Sequence, residues 1–136
     1  MPMSKQWPFE FWQHCQGEGR LAVNLFLYNT GEGIQAILTG GEKPHVGGVV
    51  LAVPRLSIAG NGKASGDYYI LPVPGHKDTI IGELAAKALV ESFQVPVCVT
   101  AGVHSEQLTK EELDQIVENC RRLVLAAIQK IKSFGW

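Results

Sequence analysis

Three histidines stand in sequence that favours loops, and imidazole can transfer protons, bind metals or donate hydrogen bonds near neutral pH. His45 lies in Pro-His-Val-Gly-Gly, His76 in Pro-Gly-His-Lys-Asp, and His104 in Ala-Gly-Val-His-Ser. For any one of them, a hydrogen bond within a turn explains the residue as well as a ligand does. The repetition of this setting, with only His14 elsewhere, favours a shared site.

Two of these loops have features that suit a phosphate or a flat ring. Gly47 and Gly48 leave the start of a predicted strand without side chains, which permits a ligand close to the backbone. The segment Gly75–Asp78 precedes a predicted helix, whose free N–H groups, together with Lys77, favour an anion. The local sequence also fits a helix that Asp78 simply caps, with Lys77 in solvent.

Other kinds of site find weaker support. Three imidazoles with an open fourth position can form a catalytic zinc site, but no two of these histidines are four residues apart or share a hairpin, so a metal site is not predicted. The serines lack the surroundings of a nucleophile elbow, and Gly31–Ala36 lacks the third glycine and the helix of a dinucleotide-binding fingerprint. Aromatic and basic residues are not interleaved, so nucleic-acid binding is not predicted.

Length and composition indicate one soluble domain. Of the 136 residues 46% are apolar and 18% charged, and we assign residues 1–136 to a single domain. A net charge of -1 gives no general attraction to nucleic acid or anionic membranes. No apolar run approaches the ~18 residues of a membrane span, and the N-terminal sequence lacks a signal-peptide core, so we expect a cytoplasmic protein. The cysteines are odd in number and far apart, so we expect Cys98 and Cys120 to be buried thiols.

The apolar pattern predicts strands first and helices later. Alternation predicts strands over 7–16, 20–29, 34–40, 46–55 and 67–73, with 20–40 as a hairpin, Pro54 ending the fourth strand and a glycine-rich loop over 57–67. Helical spacing predicts a helix over 77–93, and a second helix from the Thr109–Glu112 capping box to about residue 132.

The apolar run 95–103 predicts a further strand between the helices, covered on both faces. Phe26 and Tyr28 suggest that the second strand is covered on both faces too. Together the elements predict an α+β fold, with a largely antiparallel sheet of about six strands flanked by two main helices.

Four short motifs together resemble the prenylated-flavin chaperone family, the small accessory D-type subunits of gallate and hydroxybenzoate decarboxylases. The family's Pro-His-[Ile/Val]-Gly pattern is matched at 44–47, Gly-His-Lys-Asp at 75–78 and Ala-Gly-[Ile/Val]-His at 101–104. Its Pro-Arg-Pro-Ser pattern meets 54–57, where Leu56 replaces the second proline. The resemblance extends over residues 21–123 and implies a fold related to the small proteasome-assembly chaperones, with a tendency to dimerise.

The resemblance implies a carrier rather than a catalyst. Its cargo would be prenylated FMN, the modified flavin that a flavin prenyltransferase makes and that reversible aromatic acid decarboxylases use. Carried over to this chain, the motifs imply cofactor contacts from nine residues: His45, Gly47, Arg55, Ser57, Gly75, His76, Lys77, Asp78 and His104. Gly48, the second glycine at the start of the predicted strand, is the tenth expected contact. A loop at 58–66 that closes over the cofactor would fit this role.

We therefore expect a non-catalytic homodimer that binds prenylated FMN, or plain FMN, and delivers it to a prenyl-FMN-dependent aromatic acid decarboxylase. That decarboxylase and the flavin prenyltransferase are the expected partners. One alternative is a small histidine-based lyase or hydrolase, with or without zinc. The other is a dimeric assembly chaperone without a small-molecule ligand, whose interface would use the aromatic residues Trp7, Phe9, Phe11 and Trp12.

Overall fold

The structure is a computed structural model in which residues 10–134 are described. Six strands and two helices follow one another, with a short 3-10 helix at Gly19–Leu21. The strands are β1 (Phe11–Gln16), β2 (Val23–Asn29), β3 (Ile34–Gly41), β4 (Gly48–Leu56), β5 (Ala64–Pro72) and β6 (Val97–His104); the helices are α1 (Thr79–Phe93) and α2 (Lys110–Lys132). Neither helix is long and apolar enough to cross a membrane, as far as residues 10–134 are concerned.

All six strands form one sheet in the order β1-β2-β3-β6-β4-β5. The β2–β3 hairpin is antiparallel, as predicted, and so are the pairs β1–β2, β4–β5 and β4–β6, whereas β3 and β6 run parallel. The predicted α+β fold, with a largely antiparallel sheet and two helices, is confirmed. Because β6 lies between β3 and β4, segments distant in sequence meet at the ends of these strands.

The core lies between the sheet and the two helices. Helix α1 packs against β4, β5 and β6, helix α2 packs against β1 and β2, and the helices contact each other. Alternate residues of β2 explain this arrangement, because Val23, Leu25 and Leu27 are fully buried. Cys120 and Leu123 of α2 are fully buried as well, so the apolar stripe of this helix faces the sheet as its spacing predicted.

The opposite face of the sheet is left open by the described part of the chain. Tyr28 is 48% exposed, while Phe26, Cys98 and Thr100 are half-buried. The prediction that β2 and β6 are covered on both faces is therefore wrong for the single chain, because both helices lie on one side. Cys98 is accordingly half-buried rather than buried, whereas Cys120 is buried as predicted.

Strand β4 continues through Pro54, where the sequence predicted its end. Pro54 pairs with Gly66 of β5, and the strand ends at Leu56. Beyond Ala52, β4 has a partner strand on one side only, and a proline is tolerated at such an edge. Strand β5 begins at Ala64, so the loop between these strands is shorter than predicted.

The start of α2 is fixed by the predicted capping box and by an arginine. Thr109 and Glu112 exchange reciprocal hydrogen bonds of 3.1 Å each. Arg20 donates from Nε and Nη2 to the two carboxylate oxygens of Glu112, also at 3.1 Å each. The hydrogen bond from Arg20, followed by that from the Thr109 backbone, lowers the pKa of Glu112. This contact holds the segment between β6 and α2 against the 3-10 helix.

We expect the protein to lose stability as pH falls from about 4.5 toward 2. Hydrogen bonds from Arg121 and Arg122 lower the pKa of Glu118 to about 2. A carboxylate whose pKa is depressed in the folded state contributes stability above its unfolded-state pKa, and that contribution is lost as pH falls through the folded-state value. In urea unfolding at a series of pH values, Glu118→Gln should therefore flatten the acid limb of the stability curve.

Glu111→Gln is the matched control, since Glu111 lies on the same helix and makes no ion pair within residues 10–134. Acid limbs of equal slope in the two variants would contradict the assignment of the effect to the Glu118 contacts.

Candidate functional site

The three histidine loops meet at one end of the sheet. In the antiparallel β4–β6 pair, Gly48 lies opposite Ala101, so the start of β4 is beside the end of β6. The ring centroids of His45 and His76 are 4.6 Å apart, and those of His45 and His104 are 6.2 Å apart. The structure thus brings together three side chains that the sequence separates by up to 59 positions, from His45 to His104.

The His45 loop lies directly on the backbone of β6. The His45 N–H donates to the Gly102 carbonyl at 3.3 Å, and the Gly47 N–H donates to the Ala101 carbonyl at 2.8 Å. A Cβ atom on Gly102 would collide with the His45 carbonyl group, so a glycine is required here. The motif Ala-Gly-Val-His contained Gly102, but the sequence alone did not show which segment approaches it.

Asp78 joins the three loops. It occupies the N-cap position of α1, as predicted, but its side chain makes no capping hydrogen bond. Its Oδ1 accepts from the backbone N–H of Val103 at 2.8 Å, and its Oδ2 lies 2.9 Å from Nε2 of His45. The side chain is only 7% exposed. Asp78 therefore fixes the end of β6 and the His45 ring, which leaves the first turn of α1 without a side-chain cap.

The two glycines at the start of β4 have a packing explanation. A Cβ atom on Gly47 would overlap the Asp78 carboxylate, and one on Gly48 would come within 2.6 Å of the Thr79 methyl group. The space beside these glycines is thus occupied by the start of α1. Contact of Gly47 and Gly48 with a cofactor stays a prediction.

A pocket of about 350 Å³ opens beside the histidines, between the start of α1, the segment after β6 and the first half of α2. Its volume is within the range of small-molecule sites. Five of the ten predicted contact residues line it, and the rest of its wall is largely apolar. The predicted residues are Gly75, His76, Lys77, Asp78 and His104, and the apolar ones are Ile80, Ile81, Val103, Leu108, Leu113, Ile116 and Val117.

At the pocket mouth, some charged side chains have an ion-pair partner and others do not. Hydrogen bonds from Lys43 at 3.0 Å and from His104 at 3.2 Å lower the pKa of Glu106. Lys77, in contrast, is exposed and has no ion-pair partner within residues 10–134. Its ammonium group is therefore available to an anion from outside the chain.

Arg55 and Ser57 lie at the other end of β4. Arg55 is seven positions after Gly48, which at about 3.3 Å per residue places them about 23 Å apart. Arg55 donates from Nε to Asp67 Oδ1 at 2.7 Å, and the Ser57 N–H donates to the Lys63 carbonyl at 2.9 Å. Residues 57–63 connect β4 to β5 at this same end, and the last three residues of the expected 58–66 loop belong to β5. Within one chain, the structure does not bring these residues to the histidine pocket.

Comparison with known proteins identifies the family. A family model for the prenylated flavin chaperone LpdD-like domain matches residues 17–132, a span that includes every element from the 3-10 helix to the end of α2. No curated protein matches the chain. The family's description is of a chaperone, which indicates a non-catalytic role. The chain therefore belongs to the prenylated flavin chaperone LpdD-like family.

Proposed function

We propose that this protein binds prenylated FMN, or plain FMN, as cargo and delivers it to a prenyl-FMN-dependent aromatic acid decarboxylase. The observation that carries the proposal is the pocket beside the histidines, because three motif segments resembling the family converge there. The family description supports the choice of cargo. In this proposal the protein works in the cytoplasm, receives its cargo from a flavin prenyltransferase and does not catalyse decarboxylation itself.

The start of α1 would hold the phosphate of the flavin. The first N–H groups of a helix have no partner within the helix. Here the Asp78 side chain does not cap them, and of these groups the Ile80 N–H donates to the Lys77 carbonyl at 3.3 Å. Lys77 supplies an uncompensated positive charge one residue earlier. An anion at this point gains both from the N–H groups and from the helix dipole.

The apolar part of the pocket would hold the ring system. Leu108, Ile116 and Val117 form its wall, and an isoalloxazine ring requires this kind of flat apolar contact. His76 and His104 stand at the mouth with side chains that are 38% and 43% exposed. In the proposed complex, these imidazoles donate hydrogen bonds to flavin carbonyls or phosphate oxygens.

The exposed rim of the pocket suits a carrier. Ile80 is 61% exposed and Leu113 is 51% exposed, although both side chains line the pocket. Apolar groups of this kind at a pocket mouth are available to a partner protein. We infer that the decarboxylase contacts this rim while the cofactor is transferred.

The proposal is tested by loading the protein in cells. It is co-expressed with a flavin prenyltransferase and purified anaerobically, and the released small molecule is identified by absorption and mass spectrometry. We expect prenylated FMN at near-stoichiometric occupancy. A colourless protein, under conditions in which a partner decarboxylase does acquire the cofactor, would contradict the proposal and favour an assembly chaperone without a ligand.

Lys77→Gln should weaken cofactor binding about tenfold, because a hydrogen bond to a charged group contributes about 1.5 kcal/mol or more. Flavin titration of the purified variant measures this change. Lys87→Gln is the matched control, since Lys87 is an exposed lysine on α1 and lies outside this pocket. Equal affinities of the two variants would place the phosphate elsewhere.

We further propose that the open face of the sheet forms a homodimer interface. Leu51, Tyr69 and Leu71 lie on this face with exposures of 39%, 61% and 70%. Adjacent apolar side chains of this size are seldom left in water by a stable monomer. A second copy is the occupant expected from the resemblance.

Leu51→Asp should convert the dimer to a monomer, because it places a charge in the middle of the proposed interface. Light scattering on the eluting protein measures the mass of the particle. Glu83→Gln, on the exposed side of α1, serves as the control and should remain dimeric. A wild-type protein that elutes as a monomer would contradict the proposed homodimer.

The same open face favours a second candidate function, that of an assembly chaperone without a small-molecule ligand. Of the four aromatic residues expected at its interface, Trp7 and Phe9 lie outside the described residues, and Trp12 packs against the core instead. Phe11 is 41% exposed and contacts Tyr28 at 4.8 Å between ring centroids. Flavin titration in the presence of a decarboxylase subunit separates the two functions. The histidine-based lyase or hydrolase fits less well, since the family is described as one of chaperones.

A further inference from the structure

The ring of His45 faces a hydrogen-bond acceptor at both of its nitrogens. Its Nδ1 lies 2.9 Å from the carbonyl oxygen of Lys43, and its Nε2 lies 2.9 Å from Oδ2 of Asp78. A neutral imidazole carries only one N–H group, and neither a carbonyl nor an ionised carboxylate can donate. The two contacts together therefore require either one more proton, on the ring or on the carboxyl group, or a metal ion.

A third side chain converges on the same carboxylate oxygen. Nδ1 of His76 lies 3.8 Å from Oδ2 of Asp78, and the His45 and His76 rings are in contact. The ligand atoms of His45, His76 and Asp78 all lie within 4.8 Å of one another. A proton shared between His45 and Asp78 would need only those two residues, so the position of His76 favours the metal ion.

We propose that Nε2 of His45, Nδ1 of His76 and Oδ2 of Asp78 form a binding site for a divalent transition-metal ion of the zinc type. Imidazole and carboxylate are borderline ligands that suit Zn²⁺ and its neighbours in the first transition series. At metal–ligand distances of about 2.0 Å, two ligands of a tetrahedral site are about 3.3 Å apart. The observed separations of 2.9 Å and 3.8 Å lie on either side of this value.

The surroundings of the three ligands support the site. Metal-bound histidines usually donate their other N–H to a carbonyl or carboxylate, which fixes the ring, and Nδ1 of His45 faces the Lys43 carbonyl in this manner. The second oxygen of Asp78 accepts from the Val103 N–H at 2.8 Å, so the carboxylate is held in place as well. Three protein ligands leave at least one coordination position for water or an anion.

Cobalt titration tests the proposal directly. Tag-free and flavin-free protein, in a Cys15→Ser background that removes the exposed thiol, is treated with chelator and titrated with Co²⁺ and, in competition, with Zn²⁺. We expect visible d–d absorption that saturates at one ion per chain and is lost when Zn²⁺ is added. Absence of stoichiometric binding would overturn the proposal and leave a proton shared between His45 and Asp78 as the explanation.

His76→Gln sharpens the test. Mutation of a residue that only orients a metal ligand weakens metal affinity by at least roughly tenfold. Because His76 is proposed as a direct ligand, its loss should weaken the affinity by more than that. The variant should fold, because the His76 side chain is 38% exposed, and circular dichroism verifies this. His14→Gln is the matched control on β1, and it should bind metal like the parent protein. Unchanged affinity in His76→Gln would overturn the three-ligand site.

The metal site does not depend on the proposed flavin cargo. Because the titration is done without flavin, its failure leaves cofactor binding untouched. Conversely, a protein that binds Co²⁺ but acquires no flavin in cells would support the site and contradict only the carrier function.

Discussion

Replacing Gly102 with alanine should destabilise the protein by about 3 kcal/mol and displace the His45 loop, since an added group in a close-packed region costs about this much. The Cβ atom would collide with the His45 carbonyl, which is backbone and cannot turn aside as a side chain can. Urea unfolding measures the loss of stability. Because the displaced loop carries His45 away from Asp78, the variant should also bind flavin and Co²⁺ more weakly than the parent protein.

Gly82→Ala provides the contrast. This glycine lies inside α1, and its Cβ atom would come 3.1 Å from a methyl group of Val50, a contact that a small side-chain shift can relieve. Alanine also favours helix by about 1 kcal/mol over glycine, so the stability should change by about 1 kcal/mol or less. If Gly102→Ala were tolerated as well as Gly82→Ala, the close approach of the His45 loop to β6 would be wrong.

Asp78→Ala should destabilise the protein by about 2 to 4 kcal/mol. The substitution leaves the Val103 N–H without its acceptor and removes the partner of the His45 ring. An unsatisfied buried donor costs about 1–3 kcal/mol, and loss of a hydrogen bond to a charged group costs about 1.5–3 kcal/mol. The partial exposure of His45, at 21%, keeps the expected value below the sum of the two upper limits. Chemical unfolding at neutral pH is the measurement.

Asp78→Asn separates the two contacts of this residue. The amide oxygen can still accept from the Val103 N–H, while the charge that faces His45 is gone. We therefore expect Asp78→Asn to lose less stability than Asp78→Ala. Equal losses in the two variants would show that the charge facing His45, rather than the backbone contact at Val103, provides the stability. Asp78→Thr, which introduces a residue able to cap α1, should not restore stability, because capping is not what the Asp78 side chain does in this fold.

Local signals made most of the elements predictable. The start of α2 follows from Thr109 and Glu112, whose reciprocal hydrogen bonds depend only on residues three positions apart. The β2–β3 hairpin follows from alternation on either side of a glycine turn. The predicted end of β4 was wrong. Whether Pro54 ends the strand depends on which strands pair with β4 at that point, and this pairing is set by the whole sheet.

The order of the strands in the sheet could not be predicted from the sequence. Strand β6 enters between β3 and β4, and its parallel pairing with β3 joins residues such as Ile34 and Val97 that are 63 positions apart. Nothing in the local pattern specifies such a pairing. The open face of the sheet was missed for the same reason, since alternation shows that a face is apolar but not what covers it.

The candidate site was predicted residue by residue but not as an arrangement. The motifs selected His45, His76 and His104, and the structure brings them together. Asp78 was expected to cap a helix, because an aspartate before a helix usually does so, whereas a tertiary contact with Val103 and His45 takes its carboxylate instead. Arg55 was grouped with the histidines because a motif carries no information about which end of a strand it occupies.

The function proposed for this protein is to carry a flavin cofactor and to deliver it to a decarboxylase. Its most direct test is to mix anaerobically loaded protein with a cofactor-free, prenyl-FMN-dependent decarboxylase, separate the two, and measure both the flavin on each and the decarboxylation of an aromatic acid. We expect flavin to move from the carrier to the enzyme and decarboxylation activity to appear in proportion. Flavin that stays on the carrier while the enzyme remains inactive would contradict the proposed function.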